Sequence, residues 1–297
     1  MKRIAVGALS ACISALAVAG EPVTAPELTA AQIVEKNVVA RGGLEAWRKI
    51  QTMVWVGHIE RAHATTPNLP FVLELKRPNK TRFEIKAPNQ MAVRLFDGSQ
   101  GWKLRPARNG RPELQPYTAA ELSFALDGQG IDGPLMDYEA KGITVALEGV
   151  DEVEGHKCYR LGVKLPSGVT HHVWVDSQNF LDIKYDQKER NTSGQSGTVS
   201  VYYRNYRTIE GLQIPFTIES GDDTTKARDK MVIDKLSLNP PLEDRMFAKP
   251  SIPGQRNVIS IDTTRPPANR RASLTAPSVL PGISRPSPAV GGLGDAR

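Results

Sequence analysis

The sequence predicts a mainly β (α+β) protein built on a large curled antiparallel sheet, or incomplete barrel, whose open side a few helices cover. After Gln51 the apolar residues recur with a period of two, which is the pattern of strands with one buried face. Turns rich in Pro, Gly and Asn interrupt this pattern at intervals of roughly ten to fifteen residues. Most connections are too short for crossovers, so neighbouring strands are expected to pair antiparallel.

Helical spacing is confined to a few segments. A capping box that opens at Thr29 starts the first helix, and a Gly-Gly pair ends it. A short second helical turn begins at Leu44. Thr118–Leu126 combines a Thr cap, a Glu three residues later and one apolar side, which predicts a third helix. A further short helical piece is expected around Leu135–Ala140.

Eleven or twelve strands are expected from the period-two segments. Their ranges are Thr52–Glu60, Phe71–Lys76, Lys80–Lys86, Met91–Phe96, Gly101–Leu104, Ile143–Glu152, Lys157–Leu165, Thr170–Asp176, Leu181–Glu189, Thr198–Arg207, Leu212–Glu219 and Lys230–Leu238. A sheet of this size curls, and its concave side then needs helices or a ligand to fill it.

The two ends of the chain differ from the central part. Residues 1–19 have a basic start, an uncharged apolar run and an A-x-A site ending at Ala19, which predicts a cleaved secretory signal peptide. Leu9–Cys12 also fits a lipobox, so lipidation at Cys12 is the alternative. Residues 251–297 are rich in Pro, Ser, Gly and Arg and predict a disordered tail. Residues 20–250 are therefore expected to form the folded domain.

The charge distribution argues against nucleic-acid binding. The net charge is +6, but the predicted signal peptide carries +2 and residues 251–297 carry +4, which leaves residues 20–250 neutral. A nucleic-acid-binding domain concentrates its basic residues on a folded face. Cleavage after Ala19 would leave Cys158 as the only cysteine, so an intramolecular disulfide is not expected.

Motifs of cofactor and hydrolase chemistry give little support for an enzyme. Gly128–Gly133 fits G-x-G-x-x-G, but a predicted helix precedes it and no βαβ pattern surrounds it, so we interpret it as a loop or lid hinge. The sequence contains no G-x-S-x-G, Walker or H-E-x-x-H motif. We therefore expect neither a cofactor nor a bound metal.

The histidines and paired carboxylates are the remaining candidate sites. His58 and Glu60 share a strand face near His63, which is a weak indication of a metal-dependent hydrolase. His171 and His172 are adjacent on a strand and point to opposite faces, so they cannot easily share a metal. The remaining acidic pairs lie at turns beside glycine, where solvent keeps carboxylates ionised.

Several short motifs, in order and spacing, resemble the LolA/LolB-like superfamily, in particular its branch of outer-membrane lipoprotein-sorting proteins. The matching segments are Ala40-Arg41-Gly42-Gly43 with Trp47 and Ile50; Phe96-Asp97-Gly98 with Gly101-Trp102; Val153-Glu154-Gly155 with Cys158-Tyr159; Val173-Trp174-Val175-Asp176; Tyr206-Arg207 with Gly211 and Ile214-Pro215-Phe216; and Ile233 through Asn239-Pro240 to Phe247 and Pro250. Together they cover about residues 30–250.

The resemblance implies an unclosed β-barrel with helices at its mouth, no covalent chemistry, and a cavity that binds the acyl chains of a lipoprotein or another amphiphilic lipid. The expected lining comes from one face of the first strands: Trp55, Leu73, Phe83, Ile85, Leu95 and Trp102. The expected lid is the third helix and its Gly-rich flank: Leu122, Leu126, Gly128 and Gly130. A periplasmic monomer with transient membrane contact is expected.

Two other functions are compatible with the same sequence. The fold could present its convex face or its tail to an envelope protein and act as a sensor or interaction module. The metal-dependent hydrolase at His58 and Glu60 is the third hypothesis. For the first hypothesis the chain end matters, since cleavage after Ala19 gives a free shuttle whereas lipidation at Cys12 gives a tethered receptor.

Overall fold

The computed structural model describes residues 28–62, 68–88, 90–106, 112–128, 130–190, 196–222 and 228–250. The predicted signal peptide, Cys12, His63 and the predicted tail lie outside these residues. Within them, no helix has the length and apolar character that a membrane span requires.

Within the described ranges, three α-helices and one 3₁₀ turn accompany thirteen strands. The helices are α1 (Ala30–Ala40), α2 (Leu44–Arg48) and α3 (Ala119–Leu126), and the 3₁₀ turn is Asp244–Met246. The strands are β1 (Thr52–Glu60), β2 (Leu69–Lys76), β3 (Lys80–Ala87), β4 (Gln90–Phe96), β5 (Gly101–Pro106), β6 (Pro112–Pro116), β7 (Thr144–Val153), β8 (His156–Lys164), β9 (Thr170–Asp176), β10 (Asp182–Arg190), β11 (Ser196–Ile209), β12 (Leu212–Asp222) and β13 (Asp229–Leu238).

All thirteen strands form one antiparallel sheet in the order β6-β5-β4-β3-β2-β1-β13-β12-β11-β10-β9-β8-β7. The predicted fold class is confirmed: the protein is mostly β, and the sheet is not closed into a barrel. Strands β6 and β7 are its two edges. Because β1 pairs with β13, the two halves of the chain join at the middle of the sheet rather than at its edges.

Two local predictions were wrong. β6 adds a strand that the sequence pattern missed, because it begins and ends with proline and contains two polar residues. An edge strand tolerates proline, since only one side of its backbone pairs. Residues 135–140 form turns rather than a helix. Asp137 there has a φ of 54°, a left-handed conformation that interrupts a right-handed helix.

The strand register defines two faces of the sheet. Trp55 pairs with Leu73, and Leu73 pairs with Phe83, so these three side chains share one face, which we call the inner face. The inner face of the first half packs with Trp47 of α2 in one buried cluster. The inner face of the second half packs with Ile33 of α1 in another. Both helices therefore lie on the inner side of the curled sheet.

Segment 131–143 completes the cover of the inner face. It contributes Ile131 to the first buried cluster and Leu135 to the second, so it joins the two halves. Asp132 anchors it: the carboxylate, only 3% exposed, accepts a 2.7 Å hydrogen bond from Arg77 Nη2 and a 2.7 Å hydrogen bond from Lys141 Nζ. A buried carboxylate with two cationic partners holds the segment in one position.

We predict that Asp132→Asn lowers the free energy of unfolding by about 2 kcal/mol, because it removes the charge that both cations bind. The measurement is the midpoint of urea unfolding. Asp234→Asn is the matched control, since the Asp234 side chain is 59% exposed and, among the described residues, pairs with His58; we expect it to change stability by less than about 0.5 kcal/mol. Equal effects of the two substitutions would contradict an anchoring role for Asp132.

Candidate binding cavity

A cavity of about 210 Å³ lies between the inner face of the sheet and the segment that runs from α3 into residues 130–135. Its wall combines residues from both halves of the sheet, from α1, α2 and α3, and from the loop after α3. The lining residues are Arg41, Trp47, Met53, Trp55, Leu73, Leu75, Asn79, Thr81, Phe96, Tyr117, Phe124, Ala125, Asp127, Gly128, Gly130, Ile131, Gly133, Pro134, Leu135, His171, Val173, Asp182, Tyr185, Tyr203, Tyr206, Ile214 and Pro215.

One part of the wall is apolar and comes from β1 and β2. Met53 pairs with Leu75, and Trp55 pairs with Leu73, so four large side chains form a continuous patch on the inner face. All four are at most 9% exposed. The alternation of the two strands places them together because each second residue of a strand points to the same side. This patch can bury an alkyl chain.

Another part of the wall is polar and includes Arg41 and Asp182. Arg41 Nη1 lies 3.7 Å from Asp182 Oδ2 and donates a 2.9 Å hydrogen bond to the backbone oxygen of Asp132. Asn37 Nδ2 donates to Asp182 Oδ1 at 3.0 Å. Burial raises the pKa of Asp182, while Arg41 and Asn37 act against that rise. Asp182 is therefore the carboxylate that pairs with Arg41 in this wall.

Three tyrosines and one histidine complete the polar part. Burial raises the pKa of Tyr185, Tyr203 and Tyr206, so their hydroxyls stay protonated. Burial also lowers the pKa of His171, which keeps the imidazole neutral at neutral pH. The rings of His171 and Tyr185 lie 5.3 Å apart. The polar part thus presents neutral hydrogen-bonding groups around one ion pair.

Helix α3 covers the cavity and is tied to the sheet by its first turn. Glu121 completes the capping box with Thr118 and also accepts a 2.6 Å hydrogen bond from Lys103 of β5 and a 3.1 Å hydrogen bond from Arg94 of β4. At the other end of the helix, Asn79 Nδ2 donates to the backbone oxygen of Ala125 at 2.9 Å. Both ends of α3 are thus attached to the sheet.

The Gly-rich flank of α3 approaches the sheet closely. Gly130 has a φ of 63°, and a Cβ atom there would come within 2.9 Å of the backbone oxygen of Pro78. Glycine is required on both counts, since other residues disfavour this φ and would clash with Pro78. The loop therefore follows α3 back to the sheet and forms part of the cavity wall.

The sequence-predicted lining is only partly brought together. Trp55 and Leu73 line the cavity. Phe83 and Ile85 share the inner face with them, but they lie in the buried cluster beside the cavity, 2% and 6% exposed. Their side chains pack in the core beside the cavity and do not line it.

The prediction that Leu95 and Trp102 lie on the same face as Trp55 was wrong. Phe83 pairs with Arg94, so Arg94 points to the inner face and its neighbour Leu95 to the outer face. Trp102 pairs with Leu95 and therefore shares the outer face. Both are nonetheless buried, at 3% and 9% exposure. Because this end of the sheet is apolar on both faces, hydrophobicity alone does not identify the inner one.

The predicted lid residues are also divided. Gly128 and Gly130 line the cavity, whereas Leu122 and Leu126 of α3 do not. Leu126 is 54% exposed, and Phe124 and Ala125 face the cavity instead. In a helix this short, the apolar residues do not determine which side faces the cavity. The hydrogen bonds at its two ends determine it.

The polar lining was missed by the sequence reading. Arg41 precedes two glycines in the Ala40–Gly43 motif, but nothing in the sequence links it to Asp182, which lies 141 positions later. Tyr185 of β10 and Tyr203 of β11 occupy strand positions that ordinary core residues also occupy. Only the curl of the sheet shows that these residues share a cavity with Trp55.

The alternative site at His58 has a different environment. His58 Nε2 lies 3.7 Å from Glu60, and His58 Nδ1 lies 3.1 Å from Asp234, on the outer face. The described residues contain no group of three or more His, Cys, Asp or Glu side chains placed to hold a metal ion. His171 and His172 lie on opposite faces, and His172 pairs with Asp186 at 2.9 Å.

A solved structure shares this fold. A domain described as that of an outer membrane lipoprotein-sorting protein, from Vibrio parahaemolyticus, superposes with a TM-score of 0.50 over 73% of this chain and 95% of its own, at 12% identity. A LolA superfamily protein from Nitrosomonas europaea gives a TM-score of 0.49 over 75% of this chain and 99% of its own, at 16% identity. A DUF1329 family protein from Desulfovibrio piger gives 0.49 over 74% and 97%, at 13% identity.

These comparisons concern the fold alone. No family model matches the chain, and no curated protein matches it in sequence. The resemblance to lipoprotein-sorting proteins that the sequence motifs predict is confirmed as a likeness of fold. The function of the cavity is therefore inferred from the residues that line and cover it.

We predict that Glu121→Gln loosens α3, because the neutral amide binds Lys103 and Arg94 less strongly than a carboxylate does. Burial alone would raise the pKa of Glu121, but hydrogen bonds from Lys103 and the Thr118 backbone, with the charge of Arg94, lower it from 4.5 to about 2. Ionised Glu121 therefore stabilises the fold fully above about pH 4.5, and this contribution is lost as the pH falls through about 2.

The measurement is amide hydrogen exchange of α3 at neutral pH. We expect Glu121→Gln to speed exchange by about tenfold, the equivalent of about 1.4 kcal/mol. Glu113→Gln is the control, because Glu113 lies exposed on edge strand β6. Unchanged exchange in α3 of the Glu121 variant would show that other contacts hold the cover.

Proposed function

We propose that this protein is a lipid carrier that shelters an acyl chain or a similar amphiphile in the cavity under α3, without covalent chemistry. The supporting observation is the cavity itself: its wall combines an apolar patch of Met53, Trp55, Leu73 and Leu75 with a polar group around Arg41. An amphiphile matches such a wall at both of its ends. Burial of its methylenes supplies the driving force, about 0.8 kcal/mol each.

The size of the cavity favours a small occupant. Its volume of about 210 Å³ exceeds the ~150 Å³ of an engineered apolar cavity that holds benzene and lies below the ~300 Å³ at which pockets for drug-sized ligands begin. A single alkyl chain or part of one fits this volume. Several acyl chains together would require α3 to move away from the sheet.

The predicted export of the chain fits the same function. The proposed signal peptide, cleaved after Ala19, would release a free carrier into the periplasm, where it could exchange an amphiphile by transient membrane contact. Lipidation at Cys12 would instead tether the domain as a receptor. Intact-mass measurement of the protein from its native host distinguishes the two, because lipidation adds the mass of the acyl groups to a chain that begins at residue 12.

The binding test uses protein purified without detergent. Native mass spectrometry should detect a bound lipid, and an environment-sensitive fluorescent fatty-acid probe should be taken up with an increase in emission. Absence of a bound lipid together with absence of probe uptake would contradict the carrier function.

A substitution in the cover tests whether this cavity is the binding site. We predict that Ala125→Trp weakens probe binding by about tenfold or more, because Ala125 lines the cavity and the added indole occupies its volume. Ala120→Trp is the matched control, since Ala120 is exposed on the same helix. Both variants should unfold at similar temperatures. Equal probe affinity in the two variants would place the binding site elsewhere.

A further inference from the structure

The C-terminal end of α3 meets the second half of the sheet, strands β7–β13, at the surface of the protein. Residues 125–127 lie on one side of this junction, which we call the seam, and the turn between β8 and β9, residues 166–169, lies on the other. Ser167 Oγ donates a 3.0 Å hydrogen bond to Asp127 Oδ2 across the seam. Asp127 also lines the cavity. The seam therefore runs from the surface to the cavity wall.

The electrostatic surroundings of Asp127 extend into the second half of the sheet. Burial lowers the pKa of His171 in β9, and the charges of Asp186 and Asp127 act against that change. Burial raises the pKa of Tyr185 in β10, and the negative charge of Asp127 adds to that rise. His171 and Tyr185 both line the cavity. The seam therefore borders the polar part of the lining.

Helix α3 is held more firmly to the first half of the sheet, strands β1–β6. Glu121 accepts hydrogen bonds from Lys103 at 2.6 Å and from Arg94 at 3.1 Å, and these three side chains are at most 17% exposed. A hydrogen bond from the β2–β3 turn to the last turn of the helix adds to them. The hydrogen bond across the seam is exposed, so water replaces it at little cost. The seam is therefore the weaker of the two attachments.

Exposed apolar side chains border the seam on both sides. Leu126, beside Asp127, is 54% exposed, and Val169, at the end of the β8–β9 turn, is 38% exposed. They are two of the six large hydrophobic side chains that are exposed among the described residues. Such residues need no explanation when they are scattered singly, but two beside one junction give an alkyl chain an apolar path from the surface.

We infer that the seam is the portal through which the ligand enters and leaves the cavity, and that it opens by release of the Ser167–Asp127 hydrogen bond while α3 stays attached to β4 and β5. The β8–β9 turn moves aside, since residues 166–169 are all exposed and little packing holds them. The inference rests on the proposed carrier function and adds the route by which the ligand is exchanged.

A removable cross-link across the seam tests the portal. Asp127→Cys combined with Ser167→Cys places two thiols there, and a short bis-thiosulfonate reagent joins them until a reducing agent is added. Cys158 does not compete for the reagent, because it is buried and burial raises the pKa of its thiol to about 11. The fluorescent probe N-phenyl-1-naphthylamine is loaded first, and its release on dilution is timed. We expect the cross-link to slow release about tenfold or more and reduction to restore it.

The control for the reagent is a cross-link away from the cavity. Glu152→Cys combined with Lys157→Cys joins residues that face each other on β7 and β8, and this cross-link should change release by less than about twofold. Single substitutions then separate the seam from the helix. Ser167→Ala removes the bond across the seam and should speed release about threefold. Glu121→Gln loosens α3 on the first half and should change release by less than about twofold. Thermal unfolding verifies that every variant is folded.

Each outcome has a defined meaning. Release that the seam cross-link leaves unchanged, or that the β7–β8 cross-link slows equally, would overturn the portal. Release that speeds in Glu121→Gln as much as amide exchange of α3 does would show that the whole helix lifts, which would overturn the stated route. If the unmodified chain takes up no probe, the carrier function itself fails; probe binding with release that does not depend on the seam overturns the portal alone.

Discussion

Arg41 contacts each of the separate segments that cover the inner face of the sheet. It caps α1, its side chain donates to the backbone of Asp132, and its guanidinium lies 4.6 Å from the ring of Trp47 in α2. Its backbone oxygen accepts hydrogen bonds from Trp47 Nε1 at 2.9 Å and from the amide of Gln213 at 3.1 Å. The position of this one residue therefore depends on α1, α2, the loop after α3 and β12.

The open sheet explains why such a junction exists. Thirteen strands in one sheet leave a wide inner face, and its apolar residues have to be covered. Two short helices and segment 131–143 pack on this face, but they leave the 210 Å³ cavity between them. The cavity is therefore a consequence of incomplete covering, and its mixed lining reflects the junction at Arg41 on one side and plain strand packing on the other.

The pattern of apolar residues specified strands well and faces poorly. Alternation within β4 separates Leu95 from Arg94, but only the pairing of β3 with β4 shows that Arg94 is the residue that shares a face with Phe83. Arg94 is accommodated there because it binds Glu121 and lies over the Tyr117 ring at 5.0 Å. An amphipathic strand normally turns its leucine to the covered face and its arginine to the other face. In β4 this order is reversed, because Arg94 has a partner in α3.

The sequence by itself determined the class of fold, most strand positions and the capped helices, because these follow from local periodicity and from capping residues three positions apart. It also carried the motifs that resemble lipoprotein-sorting proteins. Only the tertiary structure decided which residues form the cavity. Arg41, Trp55, His171 and Asp182 are distant in the chain. The pairing of β1 with β13 and the curl of the sheet bring them together, and neither follows from a local pattern.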